Sequence, residues 1–299
     1  MRKKSKVLQW LLVFMQEISE LRKKDFPPLL KEIPDKPGKL FYRGALPDWE
    51  NNKFLCVVGS RKYSEYGKSV CQKLISGLSG YPIIIVSGLA LGIDGIAHEA
   101  ALRAGLKTIA VPGSVLSDKV LYPPSNFGLA QKILKSGGTL ISEFEADTKA
   151  APYMFPQRNR IMAGISHATL IIEAEEMSGT LITARLAMEY NRDVLAVPGS
   201  IFSENTKGTH SLIRNGAALV TGAADILEVL ELKEKERTES MLPDCSAEEL
   251  TILNLLSEPT SRDDLLTKSG LSITNFNMAI SGLEIKGLIK ETLGKIHRA

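Results

Sequence analysis

Seven short, near-continuous apolar runs punctuate the middle of this chain: "FLCVVGS", "IIIVSG", "KTIAVPG", "TLISEF", "ATLIIEA", "DVLAVPGS" and "ALVT". A strand with one wet face alternates apolar and polar residues. A run without that alternation is buried on both faces, as in a parallel sheet covered by helices. Between the runs lie helical stretches such as "DGIAHEAALRAG" and "GTLITARLAMEYN". Strands alternating with helices predict a doubly wound, mostly parallel α/β sheet with right-handed crossovers. In such sheets ligands bind beyond the carboxyl ends of the strands, at the point where strand order reverses.

The strand ends therefore form one rim. It carries Gly59, Ser60 and Arg61, then Ser87 and Gly88, then "VPGS", Glu143 and Glu173, then a second "VPGS". Glycine and serine keep the rim low and rich in backbone donors. "MSGTLITA" adds Ser178, Gly179 and Thr180 at a helix start, where backbone N–H groups and the helix dipole favour an anion. "FPQRNR" adds Arg158, Asn159 and Arg160; on a helix the two arginines face different ways, one toward ligand and one bracing the fold.

The first rim segment, "VVGSRKYSEYGKS", is a strand, a glycine turn and a helix from about Tyr66. It is not a Walker A loop, because position 62 holds Lys62 where the first glycine should stand. It is not a dinucleotide fingerprint either, since Gly59 has no glycine two residues on. The turn is built for an anion outside both nucleotide classes, or it is an ordinary turn with a surface arginine.

With 299 residues, two domains are expected. Residues 1–45 are set apart as an N-terminal helical extension, 46–231 as the sheet domain, 232–245 as a linker and 246–299 as a small C-terminal domain. The basic start "MRKKSKVLQWLLVFM" has too short an apolar stretch for the ~20 residues of a membrane span. It lacks a cleavage site and reads as an amphipathic helix docked on its own protein. The linker "KEKERTESMLPDC" is charged and without period. After it come three short helical patterns and "KETLGKIHRA", a hairpin with its turn at Gly294: the winged-helix pattern.

Charge limits what these parts do. The net charge is +3; residues 1–24 hold 7 basic and 2 acidic side chains, residues 246–299 hold 6 and 7. No domain is strongly basic, so a polyanion needs a local patch. A winged helix without excess cations is a poor duplex reader, and protein interaction or self-association stands beside DNA binding as its role. Cys56, Cys71 and Cys245 are too few and scattered for a disulfide frame or zinc site and suit a reducing cytoplasm.

An ordered series of motifs resembles DNA-processing protein A, the DprA/Smf family of bacteria. The matching stretches are "VVGSRKYSEYG", "VSGLALGIDGIAHEAAL", "KTIAVPGS", "LYPPSNF", "ISEF", "FPQRNRIMAGIS", "LIIEAEEMSGTLITARLAMEYNRDVLAVPGS" and "KGTHSLIRNGA". The resemblance implies an extended Rossmann-like domain that binds and protects single-stranded DNA, with a winged-helix appendage. It also implies a homodimer that loads the RecA recombinase in natural transformation. No enzyme activity, cofactor, metal or membrane partner is expected. The family's usual lysine in "SGLAKGID" is here Leu91, and its "YPK" reads Tyr122-Pro123-Pro124. Lys119, in the longer stretch "GSVLSDKVLYPP", is the expected substitute. Lys207, which opens "KGTHSLI", completes the candidate cations.

The rim then holds a polynucleotide phosphate, with Arg61 as the charged fork. Phe127 is either a platform for an unpaired base or a helix-start core aromatic. Asp94 and His98, four apart on a helix, suggest a metal or acid–base pair, but no third ligand is evident and Asp94 suits a cap. Glu143, Glu173 and Glu175 would suit a hydrolase; His210 reads as a packing or capping residue. The competing class is a Rossmann-like nucleotide enzyme or sensor, such as a nucleoside-monophosphate N-glycosidase. Its P-G-G-x-G-T-x-x-E run is missing here; "VPGSVL" and "MSGTLITA" are the nearest stretches.

Overall fold

Two strands that the apolar pattern does not announce open the fold in the computed structural model, which describes residues 17–145, 148, 151, 153–233, 245–256, 259–292 and 294–298. They are β1 (Ser19–Glu20) and β2 (Phe41–Gly44), separated by the short helix α1 (Pro28–Glu32). The seven runs follow as β3 (Lys53–Val58), β4 (Ile83–Ser87), β5 (Thr108–Ala110), β6 (Thr139–Ser142), β7 (Ala168–Ile171), β8 (Asp193–Ala196) and β9 (Ala218–Leu219). Among the described residues they form one nine-stranded sheet in the order β1-β2-β6-β5-β4-β3-β7-β8-β9. Pairing is parallel from β6 through β9 and antiparallel only at β1–β2 and β2–β6.

The first boundary of the sequence reading is corrected here. Residues 17–45 are not a helical extension set apart from the sheet; β2 pairs with β6 along its whole length, Phe41 opposite Ser142 and Gly44 opposite Thr139. Phe41 packs toward one apolar cluster and Tyr42 toward another, so this edge strand is held on both faces. The amphipathic helix read at the N-terminus, and most of the linker, lie outside the described residues.

The absence of alternation in the runs has the expected cause. In β3, Phe54, Cys56 and Val58 enter one cluster while Leu55 and Val57 enter the other. On the first face lie α1, α5 (Met154–Ile165), α6 (Thr180–Glu189) and α7 (Lys207–Arg214), through Leu30, Ile161, Ala184 and Leu212. On the second face lie α2 (Glu65–Ser76), α3 (Ile93–Arg103) and α8 (Ala223–Val229), through Leu74, Ala97 and Ile226. Helix α4 (Phe127–Lys135) covers β5 and β6 through Ala130 and Ile133. Each fully buried Leu or Ile here stabilises by about 1.5–3 kcal/mol relative to exposure. Cys56 and Cys71 are core residues, and burial pushes the Cys71 thiol up to about 12.

The chain divides into two compact units at Glu234/Lys235. The second holds α9 (Ala247–Leu255), β10 (Thr260–Ser261), α10 (Arg262–Ser269), α11 (Ile273–Ile285), β11 (Ile289–Thr292) and β12 (Lys295–Arg298). Ser246, Ser261 and Ser272 each cap their helix by accepting a backbone N–H three residues on. Strands β11 and β12 form the wing, and Gly294 turns it at φ +74°. Ile252, Leu265, Phe276, Ile280 and Ile296 make a separate core. On α11, Ile273, Met278 and Ile285 are exposed, while Lys286 at its end is engaged by buried Glu249 at 2.6 Å.

Candidate nucleic-acid interface

Strand β3 is the switch point. The chain runs from β3 outward through β4, β5 and β6, then returns to place β7 on the other side of β3. Beyond the carboxyl ends of these strands lies a cleft of about 450 Å³. Its walls are Gly59–Lys62 after β3, Ala90 and Asp94 after β4, Phe155, Arg158 and Asn159 on α5, and Glu175 and Ser178–Thr180 after β7.

Arg61 is exposed at the cleft mouth, with its guanidinium over the Phe155 ring, 5.7 Å from the centroid. That ring meets Tyr122 edge-on at 5.5 Å, and Tyr122 is itself half exposed. The Arg61 loop is anchored from several sides. Thr180 Oγ1 donates to the Gly59 carbonyl at 3.1 Å, the Ile93 N–H donates to the Ser60 carbonyl at 3.2 Å, and Asn205 Nδ2 donates to the Lys62 carbonyl at 2.9 Å. Ser60 Oγ accepts the Lys62 N–H at 3.0 Å.

The cleft floor is polar and buried. Arg158 is 4% exposed, and its Nη1 donates to the Val111 carbonyl, while its Nε has no hydrogen-bond partner among the described residues. Gly88 makes room for it: a Cβ there would stand 1.9 Å from Arg158 Nη1. Burial pushes the Asp94 carboxyl up; the Arg158 guanidinium and the Ala90 and Gly88 N–H groups oppose that. Asn159 is 8% exposed beside them.

Helix α2 starts at Glu65, and its first turn is closed from within the chain. Glu173, 1% exposed at the end of β7, accepts the Ser64 N–H at 2.9 Å and the Ser64 hydroxyl at 2.5 Å. Gly67 leaves the space, since a Cβ there would lie 2.4 Å from the Glu173 carboxyl. By contrast α6 opens onto the cleft. Gly179 stands at its cap without a side-chain bond, and Ser178 Oγ accepts the Thr180 N–H at 3.2 Å.

The cleft thus gathers Gly59, Ser60, Arg61, Arg158, Asn159, Ser178, Gly179 and Thr180 from the sequence-based candidates. Six others are placed elsewhere. Ser87 is fully buried and donates to the Val57 carbonyl at 2.6 Å, which completes a strand end rather than a binding surface. Gly88 serves by yielding space. Arg160, two residues from Arg158 and so on the opposite side of α5, pairs with Glu143 and donates to the Asp35 carbonyl. Phe127, partly buried at the start of α4, packs against the Leu89–Leu129 cluster and does not line the cleft. Lys207 pairs with Glu204 at 2.8 Å, and that bond raises its pKa. Lys119 is exposed in the loop before Tyr122 and does not line the cleft. Leu91, half exposed, borders a small recess with Tyr122, Phe155 and Arg158.

Phe155 lines the cleft without being among the sequence-based candidates. Its signal lay in "FPQRNR", one turn before Arg158. Asp94 and His98 take different partners, Asp94 the Ala90 and Gly88 N–H groups. His98 is buried, bonded through Nδ1 to Thr108 Oγ1 at 2.7 Å, and driven down to about 3 by burial. Among the described residues no cluster of three His, Cys, Asp or Glu forms a metal site. His210 Nε2 bonds the Gly199 backbone at 3.1 Å.

The family model described as DNA recombination-mediator protein A matches residues 17–231 of the chain, a span that holds β1 through α8. The chain belongs to this family. Among relatives, Protein Smf of Escherichia coli is 37% identical over 278 residues, covering 90% of this chain and 74% of that protein. DNA processing protein DprA of Streptococcus pneumoniae is 44% identical over 206 residues, covering 69% and 71%. The X-ray structure of the S. pneumoniae DprA superposes with a TM-score of 0.66 at 39% identity, over 76% of this chain and 78% of that one. Helicobacter pylori DprA, solved for its single-stranded DNA binding mode, gives 0.65 at 28% identity, over 72% and 96%. These DprA folds and this one share the Rossmann-like, mostly parallel sheet. No helix among the described residues is long and apolar enough to cross a membrane.

Proposed function

We propose that this chain binds single-stranded DNA at the switch-point cleft and passes it, as a homodimer, to a RecA-type recombinase during the processing of incoming DNA. The observation that carries the reading is Arg61 at the cleft mouth with its guanidinium laid over Phe155. A guanidinium grips two phosphate oxygens at once, and an aromatic face beneath it fixes the direction of the fork. A strand held there by a phosphate brings unpaired bases against Phe155 and Tyr122, which stack on any base. Duplex DNA keeps its bases paired inside and gains nothing from such faces. The recombinase and the homodimer follow from the family alone.

Anisotropy titrations of labelled oligo-dT and of duplex, over a salt series, test the reading. Single strand is expected to bind in preference, with log affinity falling by about 0.7 per phosphate contact per decade of salt. Arg61→Ala should weaken binding by about 1.5–3 kcal/mol, roughly tenfold to a hundredfold, with little change in Tm because the side chain is exposed. Equal binding of duplex, or release of free base from nucleotides, would overturn it. The second unit contributes little by this account, because Lys286 on α11 is engaged by Glu249. Truncation after Leu242 should keep affinity within about tenfold, 1.4 kcal/mol. A hundredfold loss with the first unit still folded by circular dichroism would make the winged helix the main reader.

A further inference from the structure

Among the polar ties that hold the loop between β3 and α2, one is charged. Thr180, Ile93 and Asn205 each bond a loop carbonyl with a neutral donor. Glu173 instead brings a carboxylate, 1% exposed, to the N–H and hydroxyl of Ser64 at 2.9 and 2.5 Å. Ser64 Oγ in turn accepts the Gly67 N–H at 3.0 Å, so the carboxylate, the cap and the first turn of α2 form one chain of bonds. Bonds to an ionised acceptor are roughly twice as strong as neutral ones. Arg61 stands three residues before this anchor, and the loop's path decides where its guanidinium lies.

We propose that Glu173 is a positioning residue for the DNA-binding loop: by clamping Ser64 it sets the place of Arg61 over Phe155. This rests on the reading of Arg61 as the phosphate contact. It also carries a sign that simple electrostatics does not. A carboxylate near a phosphate site repels the strand, so deleting it should strengthen binding by charge alone. If Glu173 positions Arg61, deleting it weakens binding.

The test uses the full chain, oligo-dT anisotropy across a salt series, and four variants: Arg61→Ala, Glu173→Ala, Glu173→Gln and the double Arg61→Ala/Glu173→Ala. Glu173→Ala is expected to lose about tenfold in affinity and to lower the salt slope by about 0.7, the signature of one lost phosphate contact. The double variant should bind no more weakly than Arg61→Ala, because two residues acting through one contact are not additive. Glu173→Gln keeps an acceptor for the Ser64 N–H but turns an amide toward the hydroxyl, and should fall between. Added formate should partly restore Glu173→Ala and leave Arg61→Ala unchanged. Unchanged or tighter binding by Glu173→Ala, or losses that multiply in the double variant, overturns the inference. If Arg61→Ala itself loses nothing, the phosphate reading fails instead. Should Glu173→Ala not fold, Ser64→Ala carries the test: a weaker, lower-slope binder that is non-additive with Arg61→Ala supports the inference, and unchanged affinity overturns it.

Discussion

Helices α2 and α6 follow the adjacent strands β3 and β7 on opposite faces of the sheet, and both look in sequence like seats for an anion. The chain treats them differently. At α2 the anion is its own Glu173, buried and bonded to Ser64. At α6, Gly179 stands at the cap and the helix start faces the cleft. Local sequence makes a helix terminus receptive to charge, and tertiary structure decides whose charge arrives. In this protein one terminus is closed by a carboxylate from far along the chain, and the other is capped by its own Ser178 and lines the cleft.

Glycine substitutions separate the two most sharply. Gly67→Ala drives a methyl toward the Glu173 carboxyl, 2.4 Å from the ideal Cβ position. Overpacking of this kind costs about 1–3 kcal/mol, against which alanine's better helix propensity returns about 1. A net loss in urea denaturation is expected, and a stabilised Gly67→Ala would mean that the first turn of α2 is not closed by Glu173. The smaller effect has the opposite sign. Gly179 has helical φ and ψ of −58° and −20° and nothing within 4 Å of a new Cβ. Gly179→Ala should stabilise by about 0.4–1 kcal/mol through the unfolded chain. A destabilised Gly179→Ala would show that the α6 start is closed as well, and the contrast between the two helices would collapse.

The sheet was legible in sequence because burial on both faces leaves an uninterrupted apolar run, as in β3 and β4. Strand β2 was not, because Arg43 interrupts it. That side chain is buried by bonding the Leu116 carbonyl and pairing with Asp118, partners more than seventy residues away. The rim was legible as a list, since each strand end contributes a short glycine- or serine-bearing turn. Which members face the cleft was not. Arg158 and Arg160 are alike in type, and only the rotation of α5 divides them. The closure of α2 was hidden for the same reason: Ser64 and Glu173 lie 109 residues apart. Phe127 and Phe155 look equivalent along the chain, and both are partly buried; the first packs against the Leu89–Leu129 cluster while the second lines the cleft.

The place of β3 between β4 and β7 has a consequence for the order in which the protein is made. A ribosome that has delivered β3 through α5 has already presented Arg61 and Phe155, but the wall after β7 and the clamp on Ser64 have not yet been synthesised. The Arg61 loop therefore spends that interval without the Glu173 anchor, and the Thr180 and Asn205 ties come later still. A chain stalled before β7 carries the loop without the cleft wall that Glu175 and Ser178–Thr180 supply.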